Sequence, residues 1–350
     1  MNHTLAAADR HIADIESRIA RQSALIDEWA RSGLNTQRAE RDLRALEQVL
    51  DRTRERTQIL LAPMRSTTVV APDSPYVQPA LVDEPDALAP WESPQMRIAQ
   101  LAWGEGCSKP GGAGHLLELA KSLDLDSTKT VMMFGVGLGG GARAIHRRFD
   151  ARIAGYEIDA EAARAARQLS VLARLEKAVD IVRYNPKEFA PRPDSYDCIL
   201  SAETLFQIER KDDLLGKLAL GLKPRGQIVM TDFVLGPGAS PDDKRLKALA
   251  SDSAFFWPAN RYAQHFRERN FDLGASEDIT AAYRKMVVDG CRRFAEGGPE
   301  FIANAKAYPA VTLALMKLCE ARVAAFDSGL LKVMRFSAVK LSSPKLMSNW

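Results

Sequence analysis

Five of the seven residues in Gly135-Val136-Gly137-Leu138-Gly139-Gly140-Gly141 are glycine. They follow the apolar run Thr130–Phe134 and lead into a helical pattern. Glycine lets the backbone pass close to a ligand in conformations that other residues avoid, and a helix that starts there presents free N–H groups. A second apolar run ends in Gly155-Tyr156-Glu157, about twenty residues further on, where a carboxylate can accept both hydroxyls of a ribose. Asp159 is better placed to cap the next helix. A third acid, Glu203, follows the apolar run Ser195–Leu200. It could orient a substrate donor or accept its proton, and a helix-capping or ligand-side role fits it equally. Further on, Phe255-Phe256-Trp257-Pro258-Ala259-Asn260-Arg261-Tyr262-Ala263-Gln264-His265-Phe266 gathers aromatic rings with Arg and His. Trp257, Arg261, Tyr262 and His265 there could line an apolar pocket or cage a substituted ammonium, and the same residues would serve as the core of a covering helix.

These residues need a frame, and the periodicities supply one. Helical patterns at Gly112–Leu123, from Gly139, at Ala160–Ser170 and at Asp212–Leu222 alternate with strand patterns at Thr130–Phe134, Ala151–Tyr156, Val179–Val182, Ser195–Leu200 and Gln227–Phe233. The alternation predicts an α/β, Rossmann-like, doubly wound parallel sheet over residues 95–345, with helical lid insertions and a closing strand at Leu331–Leu341. His115 and His146 fall on helices and read as surface or capping residues. Upstream, Ile12, Ile15, Ile19, Ile26 and Trp29, then Leu43, Leu46, Leu50, Thr53, Thr57 and Leu60, keep helical spacing. With Ser32-Gly33 between the two runs, residues 1–62 read as an antiparallel helical hairpin with a coiled-coil-like seam, suited to homodimerisation or to a protein partner. Residues 63–94 hold seven of the eighteen prolines and read as a linker.

Composition narrows the partners. The net charge of +3 is spread over both signs, so no nucleic-acid face and no polybasic membrane patch stands out. No apolar run reaches the roughly 18 residues of a membrane span, and the N-terminus lacks the pattern of a signal peptide, which makes a cytoplasmic location the expectation. The four cysteines form no CxxC pair and the five histidines show no ligand spacing, so neither a structural metal nor a disulfide framework is expected. Small molecules or proteins remain as partners.

From about Trp91 to Leu341 the chain resembles the class I S-adenosylmethionine-dependent methyltransferases, within them the small-molecule group of phosphoethanolamine, sarcosine/dimethylglycine and tocopherol enzymes. Trp103-Gly-Glu-Gly-Cys-Ser108-Lys-Pro-Gly111-Gly112 looks like the element that folds over the methionine part of the cofactor. FGVGLGGGARAI looks like the glycine motif, GYEID like the ribose-binding strand end, and SYDCILSAETLFQI like the fourth strand and its loop. LALGLKPRGQIVMTDFVL and FDLGASEDIT resemble the segments around the fifth and sixth strands. The resemblance implies S-adenosylmethionine as cofactor, contacted by Trp103, Ser108, Gly111, Gly112, Gly135, Gly137, Gly139, Glu157, Ile158, Asn185, Pro186 and Ser201. It implies Glu203 and Gln207 as candidates at the reacting end. Three positions depart from the family pattern. Met133 stands for an acid, Asn185 for an aspartate near the adenine amino group, and Gln207 for a histidine of the fourth-strand loop.

The leading expectation is therefore methyl transfer to a small-molecule acceptor. The three departures motivate an alternative, a methyltransferase-fold scaffold or regulator acting through residues 1–62. A nicotinamide oxidoreductase would share the glycine loop and the acidic strand end, but it leaves the LKPRG turn and the EDIT-like ending unexplained.

Overall fold

The computed structural model describes residues 89–249 and 254–342, with isolated helical positions 19, 20, 23, 26, 31, 40, 43 and 44. The expected hairpin and most of the expected linker otherwise lie outside the described residues. Internal contacts divide the chain between Leu88 and Ala89, and the account below concerns the second unit.

Two helices come first, α1 (Pro94–Trp103) and α2 (Gly112–Ala120). The alternating part then runs β1 (Thr130–Phe134), α3 (Gly140–Phe149), β2 (Arg152–Glu157), α4 (Ala160–Leu172), β3 (Val179–Arg183), β4 (Tyr196–Ala202), α5 (Lys211–Gly221) and β5 (Leu222–Leu235). A two-residue strand β6 (Trp257–Pro258), α6 (Ala259–Glu268) and β7 (Phe271–Asp278) follow. Three helices, α7 (Thr280–Glu296), α8 (Pro299–Ala307) and α9 (Pro309–Asp327), lead into β8 (Leu331–Lys340). Local chemistry sets several of these boundaries. Asp159 caps α4 by accepting the Ala162 N–H at 2.7 Å, which satisfies one of the donors a helix start leaves open. Gly139, at φ 76°, supplies the left-handed residue from which α3 starts.

The strands lie in the order β3-β2-β1-β4-β5-β8-β7, with β6 beside β5. β1 pairs in parallel with β2 on one side and β4 on the other, so the chain winds outward in both directions from the β1/β4 junction. A crevice outside the carboxyl ends of these two strands is where such a sheet takes its ligand. At one edge the sheet is mixed, because the closing strand β8 runs antiparallel to both β5 and β7. The reason is where α9 ends. Gly236 N–H donates to Leu330 O at 2.9 Å, so the chain re-enters the sheet at its carboxyl edge and can only run back along β5.

Strand alternation gives the sheet two apolar faces. Met132, Phe134, Ile199, Met230 and Val234 join Trp257, Tyr262 and Phe266 on one face. Val131, Met133, Leu200 and Val229 pack with Leu119 and Ala120 of α2 on the other. Beside that second cluster, Phe233, Leu331 and Val333 pack with Tyr283 and Val287 of α7 and Phe326 of α9.

Candidate functional site

The glycine loop leaves β1 at the junction and turns through three left-handed residues, Gly135 (φ 65°), Gly137 (φ 55°) and Gly139 (φ 76°). Close approach adds to the requirement at Gly137, where a Cβ would stand 2.3 Å from Ser108 Oγ. Glu157, at the end of the neighbouring β2, is buried and turns back onto this loop. Its Oε2 accepts the Gly137 N–H at 2.7 Å, and its Oε1 accepts those of Ile158 and Asp159 at 2.9 and 3.1 Å. A carboxylate offers about four lone pairs, so one on Oε2 remains for a hydroxyl.

The segment before α2 forms the other wall. Gly106 O accepts the Gly140 N–H at 2.8 Å, and Ser108 sits against Gly137. Lys109 reaches in to the strand ends, its Nζ donating to Gly135 O, Ala202 O, Glu203 O and Thr204 Oγ1 at 3.1, 2.7, 3.3 and 3.0 Å. Burial lowers the pKa of this lysine, opposed by Glu157, Glu203 and Asp232 and reinforced by Arg322.

Glu203 follows β4 in a left-handed conformation, φ 43°, fixed by its N–H to Thr231 O at 2.8 Å. Its side chain is 2% exposed. Oε1 accepts from the Thr231 hydroxyl at 2.5 Å and lies 3.3 Å from His115 Nε2, while Oε2 is buried without a hydrogen-bond partner. Burial would raise the pKa of this acid, but hydrogen bonds from His115 and Thr231 and the charge on Lys109 bring it below the ordinary carboxylate range. It is therefore an acceptor at neutral pH. Lys109, His115, Gly135 and Glu203 line one cleft that is open to solvent.

Ser108, Gly112 and Gly135 line that cleft, and Gly137 and Glu157 stand beside it. Gly111, at φ 79°, caps α2. Ser201 ends beside Phe134 in the sheet register, its hydroxyl buried without a partner. Ile158 is half-buried, and so are Asn185 and Pro186 past the end of β3, where Asn185 Oδ1 accepts the Lys187 N–H at 3.1 Å. Trp103 is directed elsewhere, since its ring lies where a Cβ on Gly290 of α7 would be. Gln207 is exposed on a short turn.

The four aromatic-segment residues are not brought to the cleft. Tyr262 is wholly buried across the sheet, donating to Asp232 Oδ2 at 2.5 Å. His265 is buried 3.3 Å from Asp212. Arg261 lies 3.9 Å over the Trp257 ring, and these two line a separate hollow of about 1320 Å³ that shares no lining residue with the cleft.

Two residues of the site escape a reading of the sequence. His115 was expected at the surface and is buried, edge-on to Tyr283 at 5.8 Å. Its spacing of four and five from Leu119 and Ala120 puts it on the apolar face of α2, and that was the available signal. Lys109 gives no periodic signal because it sits in a loop. Among the described residues no group of side chains is placed to hold a metal ion, and no helix is long and apolar enough to cross a membrane.

Residues 132–230 match the family model described as a methyltransferase domain. Phosphoethanolamine N-methyltransferase 3 of Arabidopsis thaliana is 26% identical over 205 residues, 58% of this chain and 41% of that protein. The chain thus spans about two fifths of the length of that relative. Among solved structures, phosphoethanolamine N-methyltransferase 2 of Haemonchus contortus in complex with S-adenosyl-L-methionine superposes with a TM-score of 0.65 at 18% identity, covering 72% of this chain and 58% of that one. The cyclase SpnF superposes with a TM-score of 0.53 at 17% identity, covering 66% and 81%. The fold is that of the class I S-adenosylmethionine-binding methyltransferases, and SpnF shows that one fold carries more than one reaction.

Proposed function

We propose that this chain is an S-adenosylmethionine-dependent methyltransferase acting on a small-molecule acceptor. The observation that carries the proposal is the Glu157 carboxylate held against Gly137 at the carboxyl edge of the sheet, inside the segment that matches the methyltransferase-domain family. The residues present fit the cofactor. Three left-handed glycines leave the loop without side chains, Glu157 retains a free lone pair for a ribose hydroxyl, and Glu203 Oε2 is a buried acceptor with no partner in a residue that lines the cleft. When bound, S-adenosylmethionine supplies a methyl group on a positively charged sulfur, already activated for transfer.

The protein's share is alignment and exclusion of water. Glu157 and the Gly137 loop fix the nucleoside. Glu203, held ionised by His115, Thr231 and Lys109, can accept a hydrogen bond or a proton from the acceptor at Oε2. Phosphoethanolamine is the acceptor in the names of the Arabidopsis and Haemonchus enzymes, and it sets the scale of acceptor we expect here: small and polar.

Calorimetric titration with S-adenosylmethionine and S-adenosylhomocysteine, repeated on Glu157→Ala, tests the reading. Micromolar binding weakened by the substitution supports it, and an absence of heat with both ligands sinks it. The finer parts of the proposal rest on the sequence: a catalytic domain over residues 95–345, a coiled-coil-like hairpin at 1–62 that meets a second copy or a protein partner, and a cytoplasmic location. Analytical ultracentrifugation with and without residues 1–62 tests the hairpin.

A further inference from the structure

The Lys109 ammonium sits where β1 and β4 end, within 2.7 to 3.3 Å of four oxygens, those of the Gly135, Ala202 and Glu203 carbonyls and the Thr204 hydroxyl. Carbonyls accept and cannot donate, so this cradle suits a group with several N–H donors and repels a carboxylate. It is also rigid. The Thr204 hydroxyl donates to Ala202 O at 2.9 Å, and Gly135 lies so close to Thr204 that a Cβ there would overlap its side chain. An ammonium has three N–H donors, and the four oxygens are enough to engage them all.

Strand order relates the cradle to a ligand in the cleft. With the ribose beside Glu157 at the end of β2, the rest of the ligand runs across β1 toward β4 and reaches the cradle. In S-adenosylmethionine and S-adenosylhomocysteine alike, that remainder ends in an amino acid with an α-ammonium and an α-carboxylate. Only the ammonium suits four acceptor oxygens, and they already hold one. A second ammonium on the same oxygens would stand beside the first, and like charges that close in a partly desolvated cleft repel strongly. The carboxylates of Glu157, Glu203 and Asp232 draw Lys109 in, and Arg322 of α9 opposes them. Their pull acts on whichever ammonium fills the cradle and does not make room for two.

We propose that Lys109 is a specificity-determining residue that takes the place of the ligand's α-ammonium, so that the cleft binds adenosyl thioethers and sulfoniums with little regard to whether they carry an α-amino group. The inference rests on the reading of the cleft as the cofactor site. If Lys109 stays in the cradle, the ligand's amino group finds no acceptor there. If it is displaced, one ammonium is exchanged for another with little net gain.

Calorimetry on the full chain at neutral pH compares S-adenosylhomocysteine with its deaminated analogue, in which hydrogen replaces the α-amino group while the carboxylate and chain length are kept. Wild type is expected to bind the two within about threefold. Lys109→Ala opens the cradle and is expected to prefer S-adenosylhomocysteine by about tenfold or more, the usual worth of a charged hydrogen bond. A preference of about tenfold in wild type overturns the inference, since the amino group would then have a site that Lys109 does not fill, such as the unpartnered Glu203 Oε2. An absence of preference in Lys109→Ala, with both ligands binding, overturns it too, because the cradle would then not be the amino group's place. Either result leaves the cofactor reading standing. Should Lys109→Ala fail to fold, the wild-type preference still overturns the inference. No binding of either ligand to wild type removes the cofactor reading and this inference together.

Discussion

Gly137 and Glu157 are joined at 2.7 Å through backbone N–H and carboxylate across twenty residues of chain. The bond ties the glycine loop after β1 to the end of β2 before any ligand arrives. Gly137 needs its left-handed φ of 55° to aim that N–H, and Glu157 needs its charge to hold three backbone donors at once. On the proposed reading, the part of the cleft that takes the nucleoside is thereby pre-shaped, which lowers the ordering cost of binding.

Glu157→Gln keeps the shape of the side chain and removes its charge. One of the two oxygens becomes a donor facing backbone N–H groups, so S-adenosylhomocysteine affinity should fall about tenfold or more, at roughly 1.5–3 kcal/mol for a hydrogen bond to a charged group. Calorimetry on both proteins checks this, and an unchanged affinity would mean that the ribose does not lie at β2.

His115→Phe keeps a ring against Tyr283 and deletes the partner of Glu203 Oε1 at 3.3 Å. A buried carboxylate that loses a donor costs about 1–3 kcal/mol, so the urea midpoint should drop with the slope unchanged. The Glu203 pKa should rise as well, because the His115 bond is the first of the influences holding it down against burial. If methyl transfer depends on ionised Glu203, its rate in the variant should begin to fall at a higher pH than in wild type.

Asp232 gives stability its own pH dependence. Burial lifts this carboxyl to about 7, against the pull of Tyr262, Lys211 and the Phe206 N–H and with a smaller push from Glu203. A folded-state pKa above the unfolded one means that the native state holds a proton the unfolded chain has lost, so this contribution is full below the ordinary carboxylate range and is lost as pH rises through about 7. Thermal unfolding temperature should therefore decline between about pH 4 and about pH 7 and level off above, and Asp232→Asn should not show that decline.

Arg261→Ala tests the separation of the two sites. Arg261 is about half exposed, pairs with Asp212 at 3.0 Å and lies over Trp257, away from the glycine cleft. Its loss should leave S-adenosylhomocysteine affinity within about twofold and cost at most about 1 kcal/mol of stability. A large loss of cofactor affinity would place the 1320 Å³ hollow in the same site after all.

What the sequence made legible is what local chemistry decides. β1 runs over the residues its apolar pattern marks, and Asp159 caps α4 because a short acid before a helix has one good thing to do with its oxygen. The meeting of Gly137 and Glu157 could be anticipated because adjacent parallel strands bring their ends together. The choice of face for Trp257 and Tyr262 could not, since β6 owes its place to β5, more than twenty residues upstream, and the aromatic composition suits a core and a pocket alike. The direction of β8 was hidden for a similar reason: its alternation of residues is the same whichever way it runs, and only the end point of α9 decides. Lys109 shows the same limit within a loop, where no period says which way a side chain turns.

β8 is bonded to β5 from Leu331↔Leu235 to Val339↔Gln227 and carries β7 on its far side. During refolding, β1 to β5 can assemble from neighbours in the chain, but β5 keeps an open edge until a segment about a hundred residues later arrives, and closing so long a loop is slow. β7 is already made by then and has no edge to join until β8 is in place. Pulse-labelling hydrogen exchange should find the amides of β7 and β8 protected together and last. In that interval the bare side of β5 is the place where two chains would meet instead of one, so the yield of native protein should fall with concentration more steeply than the final, closed sheet would suggest.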